Sequence, residues 1–263
     1  MTIRKGIRKG TNLDKILGVI YKKVRYEDYD EVLVLMGDEG TGKSRLLLAI
    51  LEWWNSQEDN KPCADDVRVS VGMDSPEFSG LLRDAKKYMM IANDEAADIS
   101  SRSAMAKQNR LFMVVYQLIR GENLFTVLVI PSIFDLDSFF RKRRVRHLIH
   151  ISKRGLYHFW DKQSLRRMVE LNESRPFKNI YAVRPTASGR FSDYKGLYLE
   201  PYLAKKRDKM QQVREMLADE LGVDETFNRE EALKSGEAAL VQKKIAFAAQ
   251  EFILKQKLRG ITE

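Results

Sequence analysis

The sequence contains few of the residues that build disulfides and zinc sites. Only one of its 263 residues is cysteine, Cys63, so an intramolecular disulfide is excluded and a cysteine-based zinc site is not expected. The three histidines, His147, His150 and His158, lack a carboxylate or cysteine cluster at ligand spacing. If residues 146–152 form a strand, His147 and His150 also point to opposite faces. Metal binding by these histidines is therefore not predicted.

Long apolar runs are also missing. Residues 124–134, LFTVLVIPSIF, are too few to span a bilayer and are typical of a buried strand. The basic N-terminus is followed by the apolar run ILGVI, which is too short for the hydrophobic region of a secretory signal. We expect a cytoplasmic protein, with virion-associated and membrane-peripheral locations as alternatives.

Positive charge is abundant. The formal net charge is +9, while 44% hydrophobic and 32% charged residues describe a globular composition. A basic balance favours an anionic partner. Nucleic acid is the simplest such partner, and a membrane surface is the alternative.

The stretch GDEGTGKS fits the spacing of a phosphate-binding loop. A branched apolar run at residues 31–36 precedes it, and residues 44–54 have the composition of a helix, so strand, loop and helix follow in the required order. Backbone N–H groups of such a loop bind phosphate oxygens, the lysine reaches the outer phosphates and the serine binds Mg²⁺. An ordinary glycine turn is the alternative. The predicted nucleotide contacts are Gly37, Asp38, Glu39, Gly40, Thr41, Gly42, Lys43, Ser44 and Arg45.

A pair of carboxylates follows the apolar run YMMIAN. We predict that Asp94 binds Mg²⁺ together with Ser44, and that Glu95 acts as the general base that activates water. The alternative is that both carboxylates cap the next helix, because acidic groups are stable at helix N-termini.

Alternating strands and helices predict the fold class. Short apolar strands are expected at 31–36, 67–71, near 88–94, at 124–132 and at 146–152, with helices between them. This is the pattern of an α/β fold with a mainly parallel, five-stranded sheet flanked by helices, and a hairpin follows the fifth strand. We predict a core over 1–162, an irregular basic linker over 163–200 and a helical extension over 201–263.

These segments resemble the additional-strand, catalytic-glutamate division of P-loop ATPases, in which a further strand lies between those of the phosphate loop and the acidic pair. More narrowly, NDEAADISSRS and the stretch from QNRLFMVV to RHLIHI resemble DNA-translocating ATPases of the FtsK/HerA kind, including virus packaging motors and zonular occludens toxin-like proteins. The resemblance covers roughly residues 30–155. It implies a RecA-like core, ATP, Mg²⁺ and often a ring of subunits.

The resemblance also implies two further kinds of site residue. Ser132, after the fourth strand, takes the position of the polar γ-phosphate sensor, where many relatives have glutamine. In such rings each subunit supplies an arginine that stabilises charge on the transferred phosphoryl group of its neighbour. The candidates for that arginine are Arg120, Arg141, Arg143 and Arg144.

The densest cationic stretch is RKRRVRHLIHISKR at residues 141–154. Such density suits contacts to a DNA backbone without sequence preference. A sheet edge charged against strand addition is the alternative. A second cluster at residues 205–209 is interpreted as an exposed helix face or a DNA contact.

The combined prediction is an ATP-hydrolysing DNA motor that packages or transfers a viral or plasmid genome. It is expected to be a homo-oligomer, such as a ring, with a viral or plasmid protein as a further partner. ATP is preferred to GTP because no N-K-x-D motif follows the loop. The alternatives are an ATPase that switches protein or membrane interactions and, less well supported, a small-molecule kinase.

Overall fold

The structure is a computed structural model that describes residues 6–57, 70–94 and 119–221. The chain divides into two compact units, Met1–Leu203 and Ala204–Glu263. Across the described residues, no helix has the length and apolar character needed to cross a membrane.

The described residues form a seven-stranded, mostly parallel sheet with the order β2-β3-β4-β1-β5-β6-β7. Neighbouring strands from β2 to β5 run parallel, whereas β6 and β7 join antiparallel. The strands are β1 Glu31–Met36, β2 Val71–Gly72, β3 Met90–Asp94, β4 Phe125–Ile130, β5 His147–Lys153, β6 Leu156–Trp160 and β7 Ala187–Arg190.

Six α-helices occur in the described residues, and several begin at a side-chain cap. Thr11, Asp74, Asp137 and Asp161 each accept a hydrogen bond from a backbone N–H of the first turn that follows, which satisfies donors that the helix leaves unpaired. The helices are α1 Asn12–Tyr26, α2 Lys43–Asn55, α3 Ser75–Arg83, α4 Ser138–Arg143, α5 Lys162–Glu173 and α6 Leu199–Leu221.

Helices cover both faces of the sheet. Leu33 and Leu35 of β1 pack with α1 and α2 on one face, while Val32 and Val34 pack with α3, α4 and α5 on the other. All six residues of β1 are buried, which explains why this central strand is apolar without alternation. The three layers and the strand order are consistent with a RecA-like fold.

The predicted parallel strands are present, and β4 lies between β1 and β3 as the resemblance implies. Within the described residues the sheet nevertheless has seven strands where five were predicted. The hairpin supplies β6, and β7 lies within residues 163–200, which were expected to be irregular. In the sequence, ASGR gave no strand signal because it has little apolar surface to bury. Among the described strands, β7 pairs with β6 alone.

Three predictions fall wholly or partly on residues outside the described ranges. The strand at 67–71 is described only from residue 70, and the helix expected between the third and fourth predicted strands, over residues 104–121, only from residue 119. Of the helical extension, α6 is described as far as Leu221. Residues 163–200 include most of α5, a 3-10 turn at Ile180–Ala182 and β7.

Candidate functional site

The glycine loop connects β1 to α2 at the carboxyl edge of the sheet. Gly37, Gly40 and Gly42 have φ angles of 150°, 73° and 98°, and Gly42 is the left-handed N-cap of α2. A Cβ on Gly37 would lie 2.6 Å from the Ile151 carbonyl oxygen, so this position has no room for a side chain. Thr41 closes the turn, since its hydroxyl donates to the Asp38 carbonyl at 2.7 Å. The loop is therefore built around its glycines.

The loop presents backbone donors at the start of α2. Within the described residues, the N–H groups of Gly42, Lys43 and Ser44 have no hydrogen-bond acceptor. Unpaired donors at a helix N-terminus attract anions. The Lys43 ammonium lies over the same loop and donates to the carbonyls of Gly37 and Asp38 at 2.7 and 2.9 Å. These residues fit a phosphate group chemically.

The remaining predicted nucleotide-binding residues differ in exposure. Asp38, Glu39 and Gly40 form an exposed tip, whereas Ser44 and Arg45 are half-buried in the first turn of α2. Arg45 donates to the Tyr194 carbonyl at 2.6 Å, so its guanidinium is bound to another part of the chain. That hydrogen bond gives Arg45 a structural role beside any contact to nucleotide.

Asp94 ends β3 and is 3% exposed. Through Val129 of β4 it lies level with Leu35 of β1, just before the glycine loop. Side chains of a strand point alternately to its two faces, so Asp94 lies on the same face as Ala92, which packs against α2, and Asn93 lies on the opposite face. Two strand spacings separate β3 from β1, or about 10 Å.

The Asp94 carboxylate and the Ser44 hydroxyl are oxygen ligands that suit Mg²⁺. Glu95 lies outside the described residues.

The Asp94 carboxylate accepts a hydrogen bond from the Tyr202 hydroxyl of α6. Tyr202 belongs to a run of tyrosines that contacts α2 as well as β3. The Tyr194 hydroxyl donates to Glu52, and Tyr198 accepts from the Asn55 amide at 3.0 Å. Burial, assisted by the bond to Glu52, raises the pKa of the Tyr194 hydroxyl. These hydrogen bonds keep the C-terminal end of the first unit against the candidate site.

The sequence analysis missed these tyrosines as site residues. Residues 163–200 were predicted to be an irregular basic linker, yet Tyr194, Tyr198 and Tyr202 are spaced by four. All three side chains are buried in the core layer that contains α2. The spacing was the available signal, but the partner of each hydroxyl depends on tertiary structure.

Ser132 and Arg141 are engaged within their own loop. The Ser132 hydroxyl accepts from the Phe134 N–H at 3.2 Å and caps a 3-10 turn after β4. The Arg141 guanidinium donates to the carbonyls of Phe134 and Leu136 at 3.1 and 3.0 Å. Burial lowers its pKa, with nearby carboxylates opposing that shift. Arg141 thus has a structural role in holding this loop.

The other candidate arginines lie toward the opposite edge of the sheet from the glycine loop. Arg143 ends α4 and Arg144 is its C-cap, shortly before the Arg146 N–H, which donates to the Val32 carbonyl at 2.9 Å. Val32 is four residues before Met36, or about 13 Å along the strand. The backbone of Arg120 precedes the start of β4 at this edge, and its side chain is outside the described set. None of these three backbones adjoins its own chain's glycine loop.

A cavity of about 650 Å³ adjoins the loop on the side of the β5–β6 turn. Phe191 lies between the cavity and the glycine loop. It lines the cavity, and its ring would be 3.8 Å from a Cβ placed on Gly42. Ile7 and Leu156 add apolar walls, while Arg8 and Arg190 add positive charge. The volume and mixed lining are typical of a small-molecule site.

No protein-family model matches the chain, and no curated protein sequence matches it either. Among solved structures, the chain is similar to the N-terminal domain of zonular occludens toxin from Neisseria meningitidis. The two share 17% sequence identity, the match covers 65% of this chain and 97% of that chain, and the TM-score is 0.42.

Replacing Tyr202 by phenylalanine is expected to lower the free energy of unfolding by about 1.5–3 kcal/mol, since it removes a buried hydrogen bond to a carboxylate. Tyr198→Phe is the matched control, because Tyr198 is equally buried but bonds to a neutral amide. The control should be destabilised by only about 0.5–1.5 kcal/mol. Urea unfolding of both variants checks this, and an equal or larger destabilisation by Tyr198→Phe would contradict it.

Proposed function

We propose that the protein is an ATP-hydrolysing motor that acts on DNA. One observation carries the proposal. The loop after β1 has backbone N–H groups without an acceptor among the described residues, and a buried aspartate ends β3 on the face of the sheet that packs against α2. In this arrangement β4 separates the two strands and leaves the acidic end of β3 beside the loop. A site of this kind binds and cleaves a nucleoside triphosphate.

The roles of the residues follow from their chemistry. The N–H groups of Gly42, Lys43 and Ser44 bind phosphate oxygens, and the Lys43 ammonium turns from the loop carbonyls to the outer phosphates. Ser44 and Asp94 would hold Mg²⁺, which when bound neutralises phosphate charge. Glu95 orients the attacking water and accepts its proton.

The cavity beside Phe191 supports a position for the nucleotide base. Asp94 lies toward the β3 side of the loop and the cavity toward the β5–β6 side. A nucleotide whose outer phosphates point to Asp94 therefore extends its base toward Phe191. A volume of about 650 Å³ accommodates a base and a ribose.

Two features support DNA as the partner and an oligomer as the working form. The net charge of +9 favours a polyanion. Arg144 lies far from the glycine loop of its own chain, so it would act only on a neighbour's nucleotide, as in a ring. Packaging or transfer of a viral or plasmid genome is the process that such a motor would serve.

A second function is a nucleotide-dependent switch of protein interactions. The bond between Tyr202 and Asp94 favours it, because α6 thereby contacts the residue proposed to bind Mg²⁺. A change at Asp94 on nucleotide binding would then reach α6. In this alternative the protein binds ATP without DNA-dependent turnover.

Steady-state ATP hydrolysis by the full chain tests the proposal. Turnover is measured without DNA, with single-stranded DNA and with duplex DNA, and Glu95→Gln is measured beside the unmodified protein. We expect stimulation by DNA that weakens as salt is added, since phosphate contacts are screened. Hydrolysis that depends on Glu95 but is indifferent to DNA would contradict the motor, and ATP binding without turnover would favour the switch.

A further inference from the structure

A second cavity, of about 430 Å³, lies between α4 and α5. Six cationic side chains line this α4–α5 cleft, and its floor is apolar because Val145, Leu165 and Val169 are buried beneath them. These cationic residues lie on both helices and just before the start of β5. They are Arg141, Lys142, Arg143, Arg146, Lys162 and Arg166.

The cleft has more positive than negative charge. Two carboxylates line it, and each is already paired: Glu173 contacts Lys142, and Glu170 lies 3.8 Å from Arg166. Among the described residues, no ion pair involves Arg143, Arg146 or Lys162. The pKa of Lys162 is lowered, first by the positive charge of Arg146. Mutual repulsion of this kind is relieved when an anion binds.

The cleft lies away from the glycine loop. Arg146 is at the start of β5, where its N–H pairs with Val32, and Lys162 follows Asp161 at the end of β6. Arg146 and Lys162 therefore both lie at the edge of the sheet opposite the glycine loop. The cleft is therefore a separate site, and nucleotide bound at the loop would leave it open.

The lining indicates which form of nucleic acid fits. Binding of single strands relies on aromatic side chains that stack on bases. No aromatic residue lines the cleft in the part of the chain that the structure describes. Flexible lysines and arginines over an apolar floor instead suit phosphate groups at several positions along a backbone.

We propose that the α4–α5 cleft binds the phosphate backbone of duplex DNA through Arg143, Arg146, Lys162 and Arg166. The inference rests on the proposed function and gives its DNA contact a location. It extends the cationic stretch at 141–154 to α5, which the sequence analysis did not connect with DNA. Because the protein holds only phosphate groups here, binding is independent of base sequence.

The test compares two double variants of the full chain. Lys162→Gln with Arg166→Gln removes two exposed charges from the cleft, and Lys15→Gln with Lys22→Gln removes two exposed charges from α1 on the other face of the sheet. Fluorescence anisotropy of a labelled duplex is followed over a series of salt concentrations, and a single strand of equal length is measured beside it. Thermal melting and ATP binding verify that both variants are folded.

We expect the cleft variant to bind duplex roughly tenfold more weakly, with a salt slope shallower by about 0.9 for each phosphate group that it no longer neutralises. The α1 variant should retain the slope of the unmodified protein. Equal slopes for the two variants, or tighter binding of the single strand by the unmodified protein, would overturn the cleft assignment. Failure of the unmodified protein to bind any DNA would instead overturn the proposed function.

Discussion

Lys43→Ala is expected to abolish ATP binding. The Lys43 ammonium already lies within hydrogen-bond distance of two loop carbonyls, which places it where the outer phosphates would bind. A hydrogen bond to a charged group contributes about 1.5–3 kcal/mol. Removal of two such bonds to phosphate therefore weakens binding by at least about 100-fold. Equilibrium binding of ATP in the presence of Mg²⁺, followed by calorimetry, measures the change.

Lys22→Ala provides the matched control, because Lys22 is an exposed lysine on α1 and does not contact the loop. This variant should bind ATP as the unmodified protein does. Thermal melting separates an effect on the ligand from an effect on the fold, since Lys43 also bonds within its own loop. Normal ATP affinity in folded Lys43→Ala would mean that GDEGTGKS is only a glycine turn.

The elements with the strongest local patterns were the ones that the sequence predicted correctly. The apolar run of β1 and the glycines that follow it determine both a strand and its turn, because burial on both faces and positive φ angles are encoded by neighbouring residues. The order of the parallel strands, with β4 beside β1, came from resemblance. The order of the strands cannot be predicted from local sequence patterns, because each strand pairs with strands that are distant in the sequence.

β7 shows why the edge of the sheet was missed. Its residues are alternately exposed and half-buried, and Ser188 and Gly189 have low strand propensity. β7 is held by the ladder to β6 and by the Asn12 amide, which donates to the Ser188 carbonyl at 3.1 Å. Backbone pairing of this kind leaves no trace in hydrophobic periodicity.

The sequence suggests the residue types of the candidate site, but not what surrounds them. Asp94 is a candidate metal ligand because a carboxylate after an apolar strand is a local signal. Its hydrogen bond with Tyr202 spans 108 positions in the sequence, so only the fold brings the two side chains together. Arg141 shows the converse: the resemblance made it a candidate for catalysis, whereas its guanidinium is bonded to two carbonyls of the loop that precedes it.

Glu95→Gln is expected to retain ATP binding and to lose hydrolysis. The substitution keeps the size of the side chain but removes the carboxylate that would accept the proton of the attacking water, and general-base catalysis contributes about 10²–10⁴-fold. We therefore expect an ATP affinity within about threefold of the unmodified protein and a turnover at least about 100-fold lower. Calorimetry and phosphate release measure the two quantities.

Asp94→Asn distinguishes the metal site from the base. Asp94 ends β3, which β4 separates from β1, and it is buried on the face of α2, where its charge would hold Mg²⁺ beside Ser44. Asp94→Asn should bind ATP more weakly than the unmodified protein when Mg²⁺ is present, and with the same affinity in chelator. Glu95→Gln should keep the unmodified ATP affinity in both conditions. If Glu95→Gln hydrolyses ATP normally, the base is another residue. If Asp94→Asn binds Mg²⁺ and ATP normally, Asp94 does not hold the metal, and its role is the hydrogen bond with Tyr202.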